Sequence, residues 1–303
     1  MLYYFIVLPM SLLPMGLIYF MSNFFYFLIY NVFKYRRKVV LNNVRNSFPN
    51  HSELEQKKIV KDFYHYLTNL VAESIKNLSI SENDLLNRMQ LKDNALMDQL
   101  YKEGKNVIIL SSHLNNWELL ITAQSLLFKH QAIGIGTPLS NKFWDAKINE
   151  RRERFGMQVV HANNYKEILQ NNGAKPTATL VLGDQSPGKD ENCYWTDFLN
   201  QKTAFFFGAE ILANQFNSVV VYASIKQLKK GHYEVDVLPI TLKPHEEDYG
   251  FITSSYIELL EKDINASPAN WLWSHKRWKK SVPKNLQELQ KNHEKRFVQK
   301  FRS

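Results

Sequence analysis

His113 and Glu118 are the residues whose types and spacing most directly suggest chemistry. They lie in the stretch Ile108-Ile109-Leu110-Ser111-Ser112-His113-Leu114-Asn115-Asn116-Trp117-Glu118-Leu119-Leu120. A carboxylate that holds one imidazole nitrogen fixes the tautomer and leaves the other nitrogen free as a base, able to take a proton from a hydroxyl. On one continuous helix, a five-residue separation sets two side chains about 140° apart. Across a strand-to-helix turn they can converge. His-x4-Glu is a weak pattern by itself, because a histidine at a strand end is often only a hydrogen-bonded surface residue.

Other candidates follow downstream. Asp184 comes directly after the apolar run 179–183 and is expected at the same sheet edge as His113. It could bind acceptor hydroxyls or position an arginine; a turn-forming aspartate is the competing reading. Arg152 and Arg154 stand shortly before Gly156. Guanidinium groups pair with phosphate through a planar fork, so both are candidates for a phosphorylated acceptor or a substrate carbonyl, against a solvated helix face. No metal site is expected: the nine histidines show no His-x-x-x-His spacing and no acidic loop. The single cysteine, Cys193, excludes an internal disulfide and a cysteine-based zinc cluster, and is read as structural.

These residues need a scaffold. Residues 106–110 have the apolar character of a buried strand. Leu119, Leu120, Ala123, Leu126 and Leu127 then fall at helical spacing, with Asn115 or Asn116 as N-cap. Further on, strands at 132–137, 158–162 and 179–183 alternate with helices at 141–155 and 165–171. Strands at 219–225 and 233–239 follow, joined by Lys229-Lys230-Gly231, then helices at 253–264 and from 286 onward. Such alternation predicts an α/β fold with a mostly parallel central sheet flanked by helices. Its ligands lie outside the carboxyl ends of the strands, where His113 and Asp184 both fall. Residues 36–80 read as helical with a break at Pro49. Ser52 and Glu55 form a capping box for a helix whose apolar positions, Ile59 to Ile75, are assigned packing only.

Residues 1–33 carry no charged side chain and end at Lys34-Tyr35-Arg36-Arg37-Lys38. The run is long enough to cross a bilayer, although Pro9, Pro14 and Gly16 can kink its first half. It either spans the membrane or lies in its surface as a helical hairpin. A cleaved signal peptide does not fit, since a basic start and a small-residue cleavage site are missing. The basic cluster predicts that the rest stays on the cytoplasmic side. The division expected is therefore a membrane anchor, 1–33, and one catalytic domain, 34–303. Of 303 residues 45% are hydrophobic, and the formal net charge of +9 favours anionic partners such as phospholipid, nucleic acid or an acidic carrier protein.

In this order the motifs resemble those of the bacterial lipid A biosynthesis acyltransferases, within the wider lysophospholipid acyltransferase family. The shared residues are Tyr35-Arg36-Arg37 with Asn42-Asn43, Ser47-Phe48-Pro49, Phe63-Tyr64 with Glu73, and His113 to Glu118. They continue with Arg152-Glu153-Arg154-Phe155-Gly156, Gly183-Asp184-Gln185-Ser186-Pro187, Phe207-Gly208-Ala209-Glu210, and Trp271-Leu272-Trp273-Ser274-His275-Lys276-Arg277-Trp278-Lys279. One departure concerns the turn: the family has glycine two places after the histidine, where this chain has Asn115. Asparagine visits positive φ more readily than most residues, so the turn is expected to persist.

The resemblance implies an inner-membrane O-acyltransferase, its catalytic domain on the cytoplasmic face. It would move a fatty acyl chain from an acyl carrier protein thioester to a hydroxyl of a lipid A precursor. His113 would be the general base and Glu118 would orient it. Asn116, Arg152, Arg154, Asp184 and Gln185 would bind substrate, with no cofactor and no nucleic acid partner. No Gly-x-Ser-x-Gly elbow lies near the site, and Ser111 and Ser112 are poorly placed as nucleophiles, so direct attack without an acyl-enzyme is expected. The basic segments Lys276-Arg277-Trp278-Lys279-Lys280 and Arg151-Arg152-Arg154 would suit an acidic carrier. Trp271 and Trp273 are read as packing or membrane-interface residues. Two alternatives stand beside this: the same reaction on another acceptor, such as a lyso-aminolipid or lysophospholipid, and a non-catalytic, basic, membrane-anchored binding protein.

Overall fold

A continuous Val-Ile-Ile-Leu run suits a strand buried on both faces, and residues 107–111 form that strand at the centre of the sheet. The computed structural model describes residues 1–136, 138–161, 165, 175–188 and 192–302. The expected helix at 165–171 therefore lies almost wholly outside the described residues.

The apolar N-terminus forms α1 (Leu8–Leu12) and α2 (Met15–Phe27), separated by a bend at Leu13-Pro14 where Leu13 is extended. The helical path continues through Leu28–Val32, and Met15–Val32 is long and apolar enough to cross a membrane. Then come α3 (Arg37–Ser47) and the long α4 (Glu53–Lys76). The capping box at the start of α4 is present: Ser52 Oγ accepts from the Glu55 amide, and the Glu55 carboxylate accepts from the Ser52 amide at 2.7 Å. A short helix α5 (Glu82–Arg88), strand β1 (Met89–Leu91) and helix α6 (Ala95–Lys102) lead to β2 (Val107–Ser111).

The rest alternates much as the spacing predicts: α7 (Trp117–Leu127), β3 (Gln131–Gly136), α8 (Lys142–Glu153), β4 (Gln158–His161) and β5 (Thr177–Leu182). An antiparallel hairpin, β6 (Cys193–Phe198) and β7 (Gln201–Phe206), stands apart as a two-stranded sheet, followed by helix α9 (Gly208–Phe216). Strands β8 (Val219–Lys229) and β9 (His232–Thr241) and helices α10 (Phe251–Ala266) and α11 (Leu286–Phe301) complete the chain.

The main sheet has seven strands in the order β1-β9-β8-β2-β5-β3-β4. Only the β8–β9 pair is antiparallel, so the sheet is mostly parallel as expected. One register decides where the chemistry sits. Ser111 of β2 lies opposite Leu182 of the parallel β5. His113 and Asp184 each follow two residues later, so both leave the sheet at the same edge, side by side.

A buried carboxylate ties the layers together behind that edge. Glu73 of α4 accepts from Tyr19 of α2 at 2.6 Å, from Tyr233 of β9 at 2.7 Å and from Asn116, the N-cap of α7, at 2.6 Å. Buried polar groups are tolerated when they are hydrogen-bonded, and here three elements converge on one side chain.

Candidate active site

The site is a strand-to-helix turn, residues 112–116, held from three directions. Asn115 adopts a left-handed conformation, φ 55°. Its backbone oxygen accepts from Tyr66 at 2.7 Å, its amide nitrogen Nδ2 donates to Ile225 O at 2.6 Å, and its Oδ1 accepts from Asn270 at 2.8 Å. Asparagine thus adopts the positive φ that the turn requires and adds two side-chain bonds. Asn115→Gly is expected to keep the turn and cost about 1–3 kcal/mol from the unmade bonds. Asn115→Val adds backbone strain of about 1–3 kcal/mol and should unfold at a distinctly lower urea concentration.

Segment 270–272 runs against the turn as a third support. The Asn115 amide donates to Asn270 O at 2.9 Å, and the Leu272 amide to His113 O at 3.2 Å. Residues 273–275 are clamped in turn by α3: Asn43 donates to Trp273 O at 2.9 Å and His275 O at 3.0 Å, and Arg36 to Ser274 O at 2.9 Å. Motifs far apart in sequence are therefore one contact set.

His113 Nδ1 and Asp184 Oδ1 are 2.6 Å apart. The other carboxylate oxygen of Asp184 accepts from the His113 amide at 2.9 Å and from Trp271 Nε1 at 2.8 Å. Asp184 is buried. Burial alone would raise its carboxyl pKa, but the nearby His113 charge and these hydrogen bonds outweigh that and hold it below its usual value. An ionised Asp184 accepts from the Nδ1–H of His113, which leaves Nε2 of His113 as the acceptor. Gln185 Nε2 meets it at 3.1 Å. Gly183, just before Asp184, lets Tyr256 pack close: a Cβ there would stand 3.1 Å from the Tyr256 ring, whose hydroxyl donates to Ser111 O at 2.9 Å.

The spacing suggests Glu118 as the orienting partner of His113, yet no hydrogen bond joins the two among the described residues. Its carboxylate accepts from Arg151 and Arg152 of α8, with Arg152 Nη2 at 2.7 Å and Arg152 Nε at 3.4 Å. Two guanidinium groups attract it more strongly than one imidazole, and Asp184 already occupies Nδ1. Burial favours the neutral acid, yet the two arginine charges prevail and hold the Glu118 carboxyl at about 2.

The remaining sequence candidates divide. Gln185 and Arg152 line the same cavity as His113 and Glu118. Asn116 does not: it is fully buried, its Oδ1 capping α7 at the Leu119 amide, 3.0 Å, and its Nδ2 on Glu73. Arg154 also turns away, donating to Leu78 O at 2.9 Å and to Ile80 O beyond the end of α4. Trp271 and Trp273 are core residues, not interface residues. Arg277, within the basic segment, is buried over the Phe205 ring at 4.1 Å, leaving Lys276 and Lys279 as exposed cations there. Trp271 is the site residue that sequence reasoning missed. Only its indole N–H, a donor that needs a buried acceptor, could have signalled it.

The cavity occupies about 700 Å³ at the carboxyl ends of β2, β3 and β5. His113, Glu118, Arg152 and Gln185 form its polar end, and Leu110, Ile121, Ile135, Leu180, Leu182 and Leu212 its apolar walls. Its size is typical of small-molecule sites. A base at the polar end of a cavity with apolar walls suits proton abstraction next to a bound hydrocarbon chain.

The lipid A biosynthesis palmitoleoyltransferase of Escherichia coli (strain K12) is 20% identical over 250 residues, covering 81% of this chain and 79% of that protein. A lipid A biosynthesis acyltransferase of Shigella flexneri matches to the same extent. The family profile described as bacterial lipid A biosynthesis acyltransferase spans residues 1–280, and the chain belongs to that family.

Proposed function

We propose that this acyltransferase moves a fatty acyl chain from an acyl carrier protein thioester to a hydroxyl of a lipid A precursor, at the cytoplasmic face of the bacterial inner membrane. The observation that carries the reading is His113, paired with Asp184, at the polar end of a cavity with apolar walls. The acceptor hydroxyl displaces Gln185 from His113 Nε2 and gives its proton to that nitrogen. Its oxygen attacks the thioester carbonyl, and the C–O bond forms as the C=O π electrons move to oxygen. Collapse breaks the C–S bond, and the departing sulfur takes the proton back from His113, leaving an ester and a free thiol. Asp184 keeps the tautomer and balances the imidazolium. Glu118 acts one step removed, holding Arg152 at the cavity. Arg152 has five N–H donors, and those not engaged with Glu118 suit an acceptor phosphate or the carbonyl oxygen. The exposed Lys276 and Lys279 suit the acidic surface of a carrier protein.

Purified protein incubated with acyl carrier protein charged with a fatty acid and with a lipid A precursor tests the proposal. The expected product is the precursor heavier by one acyl group, seen by mass spectrometry together with free carrier thiol. Transfer to a lyso-aminolipid instead would overturn the acceptor. Absence of any ester product would overturn the reaction.

A further inference from the structure

Helix α2 and its extension run antiparallel to α4 along their whole length. Ser11 O accepts from Ser79 at 2.7 Å, Tyr19 donates to Glu73 at 2.6 Å, Ser22 to Asn69 at 2.9 Å, and Tyr26 stacks on His65 at 3.6 Å. Lys76 donates to Ser11 O and Leu13 O at the bend, and Lys230 of the β8–β9 turn stands over the Tyr19 ring at 4.1 Å. The opposite face of α2 is mostly hydrocarbon, with Asn23 as an exposed polar residue beside it. Leu17, Phe20, Phe24 and Phe27, spaced as one helical stripe, are 45%, 73%, 60% and 54% exposed.

An upright α2 would need the bilayer core, about 30 Å, over its full length. Its partners would have to enter with it: Asn69, Glu73 and Lys76 of α4, and the Lys229-Lys230-Gly231 turn. Charged side chains and a hairpin tip do not sit in lipid-exposed hydrocarbon without large cost. The helix cannot keep these contacts and cross. With the stripe Leu17 to Phe27 turned down into the acyl region, each contact survives, and the basic run from Lys34 to Lys38 stays at headgroup level. Tyr3 packs edge-on against Phe143 and Trp144 of α8, the helix that presents Arg152 to the cavity.

We propose that residues 1–33 form a plate lying in a single leaflet of a phospholipid bilayer, on the same side as the catalytic domain, rather than a span. The proposal rests on the lipid-facing reading of this segment and not on the acyl-transfer chemistry.

The test uses the full chain with one hydrophilic epitope before Met1 and another after Ser303, in sealed membrane vesicles with the catalytic domain outward. Added protease is expected to remove both epitopes. Loss of the C-terminal epitope with an N-terminal one protected until detergent is added would overturn the proposal. In parallel, the Phe20→Ser, Phe24→Ser double variant is expected to shift about tenfold from the membrane pellet to the soluble fraction. Unchanged sedimentation would equally overturn it. Acyl transfer assayed in detergent separates the two readings. Full activity with a protected N-terminal epitope leaves the chemistry standing and removes the plate. Loss of both epitopes from an inactive enzyme does the reverse.

Discussion

His113→Ala is expected to reduce kcat for acyl transfer about 100- to 10,000-fold, the range contributed by a positioned general base, with the thermal unfolding curve little changed. The fold should tolerate the substitution because the backbone bonds of His113, its amide to Asp184 and its carbonyl from Leu272, remain. Asp184 keeps its bonds from that amide and from Trp271 when the ring's bonds to Asp184 and Gln185 are lost. The ring itself faces the cavity, edge-on to Trp117 at 4.9 Å. Asp184→Asn should follow in the same direction. The amide can donate to Nδ1, which favours the wrong tautomer and removes the charge that balances the imidazolium. Steady-state rates at saturating acceptor check both. A His113→Ala enzyme with wild-type kcat would remove the base from the mechanism.

Glu118→Ala should instead fail mainly through stability, by about 3–5 kcal/mol, because it strands a buried cation. Arg151 is buried, and its Nε has no partner even in the intact protein. Without Glu118 of α7, the charges of Arg151 and Arg152, adjacent on α8, repel with no anion between them. The pH dependence follows from the depressed carboxyl. Glu118 moves from an ordinary 4.5 to about 2, so its contribution is full above pH 4.5 and is lost as pH falls toward 2. A depression of that size corresponds to about 3 kcal/mol. Denaturant unfolding of wild type and Glu118→Gln between pH 7 and pH 2 should show the gap between them closing at the acid end. A gap independent of pH would refute the ion-pair account.

The sequence carried the scaffold further than the pairings. The Val-Ile-Ile-Leu run, the helical spacing after Asn116 and the Ser52/Glu55 box each show in local pattern, and each forms as read. Which carboxylate meets His113 is not local. Glu118 lies five residues away and Asp184 seventy-one, and only the parallel register of β2 with β5 brings the second one closer in space. The β6–β7 hairpin was also hidden. Its two-residue turn is Leu199-Asn200, both at positive φ, 47° and 62°. Leucine is a poor residue for that conformation, so the usual Asn-Gly or Asp-Gly signal is absent. Asn116 reads as a polar group near the base, yet tertiary packing spends both ends of its amide on α7 and Glu73.

Glu73 has a consequence for how the chain is made. Two of its three donors belong to opposite ends of synthesis: Tyr19 near the beginning and Tyr233 near the end. β1 likewise waits for β9, pairing Met89 with Tyr233, and the Lys230 that covers Tyr19 arrives on the same late hairpin. Chains fold vectorially as they emerge from the ribosome, so the greasiest segment is exposed first and its last protein partners appear only after most of the domain. During that interval α4 can already cover one face of α2, through Asn69 and His65, while the exposed stripe from Leu17 to Phe27 is left to lipid or a chaperone.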